Sequence, residues 1–143
     1  MNSNRLFRRL VGLLLLLCLL ATACSTAKVP LYPAEGKVFF NDQPAHGAVV
    51  WLHPVDSSDP AIPKPRGKAD KEGTYRLGTF DTRDGAPAGK YHVTVFWTAE
   101  TKGGDVDGKS LLPARYQHPQ KSGLPVVEIK EGANQLPALY LTR

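Results

Sequence analysis

The sequence predicts an all-β fold, a seven-stranded antiparallel β-sandwich with Greek-key connections of the immunoglobulin type. Three observations predict it. Beyond residue 33, no window of about 11 residues carries a helical period. Short runs rich in Val, Tyr, Phe and Thr alternate between apolar and polar positions. Clusters of Gly, Pro, Asn and Asp separate these runs, and a succession of short strands and turns is the pattern of a sandwich.

The strands follow in order. Residues 36–40 form the first, closed by Asn41-Asp42-Gln43-Pro44, where the Asn and Asp side chains bond their own backbone and Pro presets φ. Residues 48–53 form the second. Residues 54–65 hold four Pro and little apolar content, and read as loop. A third strand, 67–69, turns through Asp70-Lys71-Glu72-Gly73 into a fourth, 74–80. Asp84-Gly85-Ala86-Pro87-Ala88-Gly89 is the next turn. The fifth strand, 90–98, places Tyr91, Val93, Val95 and Trp97 on one face and His92, Thr94 and Phe96 on the other, the period of two that a half-buried strand requires. Residues 126–130 and 136–141 close the chain, joined by Glu131-Gly132-Ala133-Asn134.

The N-terminus has a different character. Arg5, Arg8 and Arg9 precede an uncharged run of 15 residues, 10–24. A membrane-spanning helix needs about 20 apolar residues, so the basic start and short apolar core read as the helix of a secretory signal. The run ends in Leu20-Ala21-Thr22-Ala23-Cys24-Ser25, which resembles a bacterial lipobox. That resemblance implies cleavage between Ala23 and Cys24, with the Cys24 thiol accepting a diacylglyceryl group and acyl chains holding the protein to a membrane. Ala21 stands where that motif most often has Leu. The alternative is an ordinary Ala-x-Ala signal cleaved after Ala23, leaving Cys24 a free thiol. The expected organisation is a signal peptide over 1–23, a lipidated extended tether over 24–33 and one β domain over 34–143. Ser25, rather than Asp, after the Cys implies a cell-envelope location at the outer membrane, facing the periplasm.

Removal of residues 1–23 takes three of the 18 Lys and Arg and none of the 13 Asp and Glu, leaving a net charge of +2. No basic cluster remains to argue for nucleic acid. No Cys remains beyond Cys24, so an apolar core alone must hold the domain.

Further residues carry a resemblance. The order Glu35-Gly36-Lys37-Val38, Asn41-Asp42-Gln43-Pro44-Ala45 with Gly47-Ala48-Val49-Val50, Ala69-Asp70-Lys71-Glu72-Gly73-Thr74-Tyr75 and Pro87-Ala88-Gly89-Lys90-Tyr91 is similar to the carboxypeptidase regulatory-like domain, a transthyretin-like (prealbumin-like) sandwich. Together with the lipobox it resembles small planctomycete-type bacterial lipoproteins. The resemblance implies no catalysis and no cofactor. The His-x-x-Glu zinc pair of carboxypeptidases is absent, because Val49, Asp56, Val95 and Lys121 follow the four His at that spacing. The related hydroxyisourate hydrolases end in Tyr-Arg-Gly-Ser, whereas this chain reads Tyr140-Leu141-Thr142-Arg143.

Several strings carry less than they suggest. Residues 103–110 match the Gly-x-x-x-x-Gly-Lys-Ser phosphate loop, but Pro113 follows where a helix must start, and Asp105 and Asp107 repel phosphate, so no nucleotide is expected. Asp105-Val106-Asp107-Gly108 lacks the remaining ligands of a calcium loop. His46, His53, His92 and His118 form no pair with metal-ligand spacing. The long stretch 99–123 reads either as a partner-binding loop or as a cap in which Leu112 and Tyr116 fold back on the domain. Trp51 and Tyr116 are the candidate contacts for an envelope protein or a glycan. A non-catalytic interaction module is the expected function, with a carbohydrate-binding module and a transthyretin-like hydrolase as alternatives.

Overall fold

The computed structural model describes residues 29–57, 62–98 and 110–143. Residues 1–23, the Ala23–Cys24 junction and residues 99–109 of the long loop lie outside them. Among the described residues there are nine short strands: β1 (Ala34–Phe40), β2 (Gln43–Pro44), β3 (Val49–Pro54), β4 (Arg66–Lys68), β5 (Thr74–Arg76), β6 (Gly89–Phe96), β7 (Val127–Ile129), β8 (Asn134–Gln135) and β9 (Leu139–Leu141). One 3₁₀ helix spans Ala114–Gln117.

The chain is all-β with two sheets, but not uniformly antiparallel. In the first sheet β1 is the hub. It pairs antiparallel with β2 and β5, and parallel with β8 and β9, Val38 lying opposite Leu139 and Phe40 opposite Leu141. The expected antiparallel order therefore fails at the C-terminus. Alternation identifies a strand but says nothing of its partner's direction, and the long path between β1 and β9 permits a parallel pairing. Asn134 makes the crossing from β7 to β8. Its Oδ1 accepts from the Lys130 amide at 2.9 Å, and its Nδ2 donates to the Lys130 and Gly132 carbonyls, both at 2.9 Å. The last two expected strands thus fall in different sheets.

The second sheet is antiparallel in the order β4-β3-β6-β7 and curls into a half-barrel. At its β4 edge, Arg66 and Gly78 exchange backbone bonds of 2.9 and 2.8 Å, so the chain leaving β5 in the first sheet closes onto the second. A Cβ on Gly67 would lie 2.5 Å from the Arg76 carbonyl oxygen, which is why the corner is built on glycine.

Both sheets contribute to one apolar core. Val38, Tyr75, Leu139 and Leu141 come from the first, and Val50, Leu52, Val93, Val95, Val127 and Ile129 from the second. Each such side chain contributes about 1.5–3 kcal/mol by leaving water. Tyr75 lies across Gly36, its partner in β1, where a Cβ would meet the phenol oxygen at 2.5 Å. Burial raises the Tyr75 pKa, so this phenol stays neutral.

Candidate functional site

The period of two in β3 and β6 decides what the second sheet shows outward. Val50 and Leu52 of β3, and Tyr91, Val93 and Val95 of β6, point into the core. Trp51 and His53 alternate with them, as do His92, Thr94 and Phe96. The antiparallel register sets Trp51 opposite Thr94 and His53 opposite His92 on this outward face.

Trp51 is half-buried there and held from two sides. From β4, its register partner Arg66 places the guanidinium carbon 5.1 Å from the indole centroid, a cation–π geometry. From β6, the Phe96 ring meets it edge-on at 6.5 Å and 72°. These residues form one wall of a groove of about 720 Å³. The other wall is the loop after β5, which carries Phe80 and Arg83.

Asp84 shapes that loop. Its carboxylate accepts the backbone amides of Thr79 at 2.6 Å, Asp81 at 2.9 Å and Phe80 at 3.1 Å, while the Thr79 hydroxyl donates to the Gly85 carbonyl at 2.7 Å. Partial desolvation pushes the Asp84 pKa up, but these amides outweigh it and hold the group below its ordinary value. The loop therefore turns out of the expected strand 74–80, which ends at Arg76, and Phe80 is left 65% exposed.

The groove is cationic in balance. Arg66, Lys68, Arg76 and Arg83 line it against Asp70 and Asp81. Both carboxylates already accept backbone amides, Asp70 from Thr74 at 2.8 Å and Asp81 from Thr82 at 2.6 Å. Arg76 is paired with Glu35 at 3.0 Å. Flat aromatic surface beside guanidinium donors can hold a ring-shaped, oxygen-rich ligand by stacking and by hydrogen bonds.

Of the four histidines, only His53 and His92 are neighbours, as register partners across β3 and β6. His53 Nε2 bonds the Thr94 hydroxyl at 2.8 Å, and burial, then Lys64 and His92, lower the His53 pKa. The His46 carbonyl accepts from the Trp97 indole at 2.8 Å. His118 follows the 3₁₀ helix, its amide bonding the Arg115 carbonyl at 3.1 Å. Among the described residues, no group of three or more His, Cys, Asp or Glu is placed to hold a metal ion.

Tyr116 is not a second aromatic contact on the surface. Its ring is 5% exposed and joins the core together with Leu112. Its oxygen accepts from the Thr142 amide at 3.0 Å and from Arg115 at 3.2 Å. Arg115 lies 4.7 Å over the ring and donates to the Thr142 carbonyl at 2.8 Å. This part of the long loop is a cap latched to the end of β9. Of the two candidate contacts, Trp51 lines the groove and Tyr116 does not. Sequence reasoning missed Arg66, Phe80 and Phe96 as its companions. Phe96 was legible as outward-facing, but the Trp51–Arg66 pairing spans a long loop that hides the register.

No protein-family model matches the chain, and no curated protein matches it in sequence. Solved structures show distant similarity. A DUF3823 family protein from Parabacteroides merdae superposes with a TM-score of 0.40 and 12% identity over 79% of this chain, which spans 46% of that protein. A 9R-lipoxygenase from Cyanothece gives a TM-score of 0.36 and 16% identity over 78% of this chain and 16% of its own. The chain is a small all-β domain by its own strands, and its resemblance to the DUF3823 family protein is distant.

Proposed function

We propose that this chain is a non-catalytic binding module of a bacterial cell envelope. In this reading it is a carboxypeptidase regulatory-like, prealbumin-like sandwich anchored through acyl chains on Cys24 and exposed to the periplasm. The supporting observation is the groove, in which Arg66 and Phe96 hold Trp51 on the outward face of a rigid sheet. The sequence from Arg5 to Ser25 supports the anchor. Cys24 and the groove divide the work between attachment and recognition.

The aromatic wall and its cationic neighbours favour a glycan over a protein strand as the ligand. A pull-down on envelope polysaccharide, comparing the native chain with Trp51→Ala, tests this. Loss of binding with an unchanged circular dichroism spectrum supports the glycan reading, and unchanged binding overturns it. The mass of the N-terminal peptide from the membrane fraction tests the anchor. A peptide beginning at diacylglyceryl-Cys24 is expected, and an unmodified Cys24 refutes it.

A further inference from the structure

We infer that one end of the domain is a membrane-facing surface, on which Phe80, Ile62 and Val29 rest against the phospholipid headgroup region. The inference rests on the anchored reading above and adds an orientation to it.

Three strand ends converge there. Tyr32 and Ala86 exchange backbone bonds of 2.9 and 3.0 Å, which fixes the chain before β1 beside the start of β6. The Val55 amide donates to the Lys90 carbonyl at 3.0 Å, bringing the end of β3 to the same place. A groove of about 420 Å³ opens at this end, and Val29, Ile62, Pro63, Phe80, Pro87 and Tyr91 are among the residues that line it. Val29 is 53% exposed and Ile62 38%, and Phe80 stands out further still. An apolar cluster of this kind on a protein surface marks a place that water does not normally cover.

Chain length selects the occupant. Val29 lies five residue steps beyond Cys24, so even a fully extended tether spans at most about 18 Å. Acyl chains on Cys24 therefore draw the Val29 end against the bilayer surface and leave the far end of β1 pointing away. The groove also carries one cation, Lys90, and one carboxylate, Asp56, which complement the paired charges of a phosphatidylethanolamine headgroup.

The test is nitroxide accessibility on the full mature lipoprotein in vesicles of phosphatidylethanolamine and phosphatidylglycerol. Cys18 leaves with the signal and Cys24 is acylated, so an introduced cysteine is the only free thiol. Labels go at Phe80→Cys and Ile62→Cys, and at Tyr140→Cys as the distal control. Tyr140 is exposed and lies opposite Phe39, five residues along β1 from Ala34, or about 17 Å. Oxygen is expected to relax the labels at 80 and 62 more than a water-soluble nickel chelate does, with the reverse at 140. An acylated chain whose labels at 80 and 62 match the label at 140 overturns the orientation and spares the anchor. An N-terminal peptide without acyl groups overturns both.

Discussion

His53 and Thr94 meet across β3 and β6, imidazole Nε2 to hydroxyl at 2.8 Å, on the outward face of the curled sheet. The bond satisfies a fully buried threonine at a position where alternation alone suggests an exposed side chain. It also sets a pH dependence. The folded state lowers the His53 pKa through burial and through Lys64 and His92, so the unfolded chain takes up the proton first. The stability from neutral His53 is complete above its ordinary value near 6.5 and declines as pH falls from there through the lowered folded value. The melting temperature is expected to drop between pH 7.5 and about 5.5, and this drop should shrink in His53→Gln. Thr94→Val should cost about 0.5–1.5 kcal/mol by urea denaturation at neutral pH.

Asp84 predicts a change at more acid pH and in a different place. Its folded pKa is lowered by the amides it collects, so its contribution is complete above the ordinary carboxylate value and fades as pH falls through the folded one. Asp84→Asn should cost about 1–2 kcal/mol. Hydrogen exchange at the Thr79, Phe80 and Asp81 amides should accelerate in that variant, with β3 and β6 protected as before.

Tyr116→Phe separates latch from core. The ring remains buried, and the acceptor for the Thr142 amide and for Arg115 is lost. A loss of about 1 kcal/mol is expected, with faster exchange confined to the end of β9. On the proposed glycan reading, capture should be unaffected in this variant, because Tyr116 lies outside the Trp51 groove.

Gly67→Ala should be the most damaging of these substitutions. The added methyl meets the Arg76 backbone at the closing corner, and backbone cannot rotate away. A loss of about 1–3 kcal/mol is expected from thermal melts, and the edge of β4 should detach from residue 78.

Local chemistry was legible in the sequence, and long-range pairing was not. Alternation from Tyr91 to Phe96 placed each side chain on its correct face. The 70–73 turn stands as expected, with Asp70 accepting the Glu72 and Thr74 amides. By contrast, Thr74 to Phe80 reads as one strand until Asp84 competes for the amides of residues 79–81. Gln43-Pro44, chosen as turn chemistry, also pairs with Phe39 and Phe40. The parallel partners of β1 lie about a hundred positions away, and no local pattern encodes them. The groove shared this limit, since Trp51 was visible and the Arg66 that covers it was not.

The hub position of β1 has a kinetic consequence. Among the strands of the described residues, β1 leaves the ribosome first, and its parallel partners β8 and β9 leave last. Until residue 141 has emerged, the nascent chain lacks the contacts that complete its first sheet. Such sequence-distant contacts slow folding, because the entropy of closing the chain is lost before they form. The first sheet therefore closes late, only once residues 139–141 are free to pair with β1.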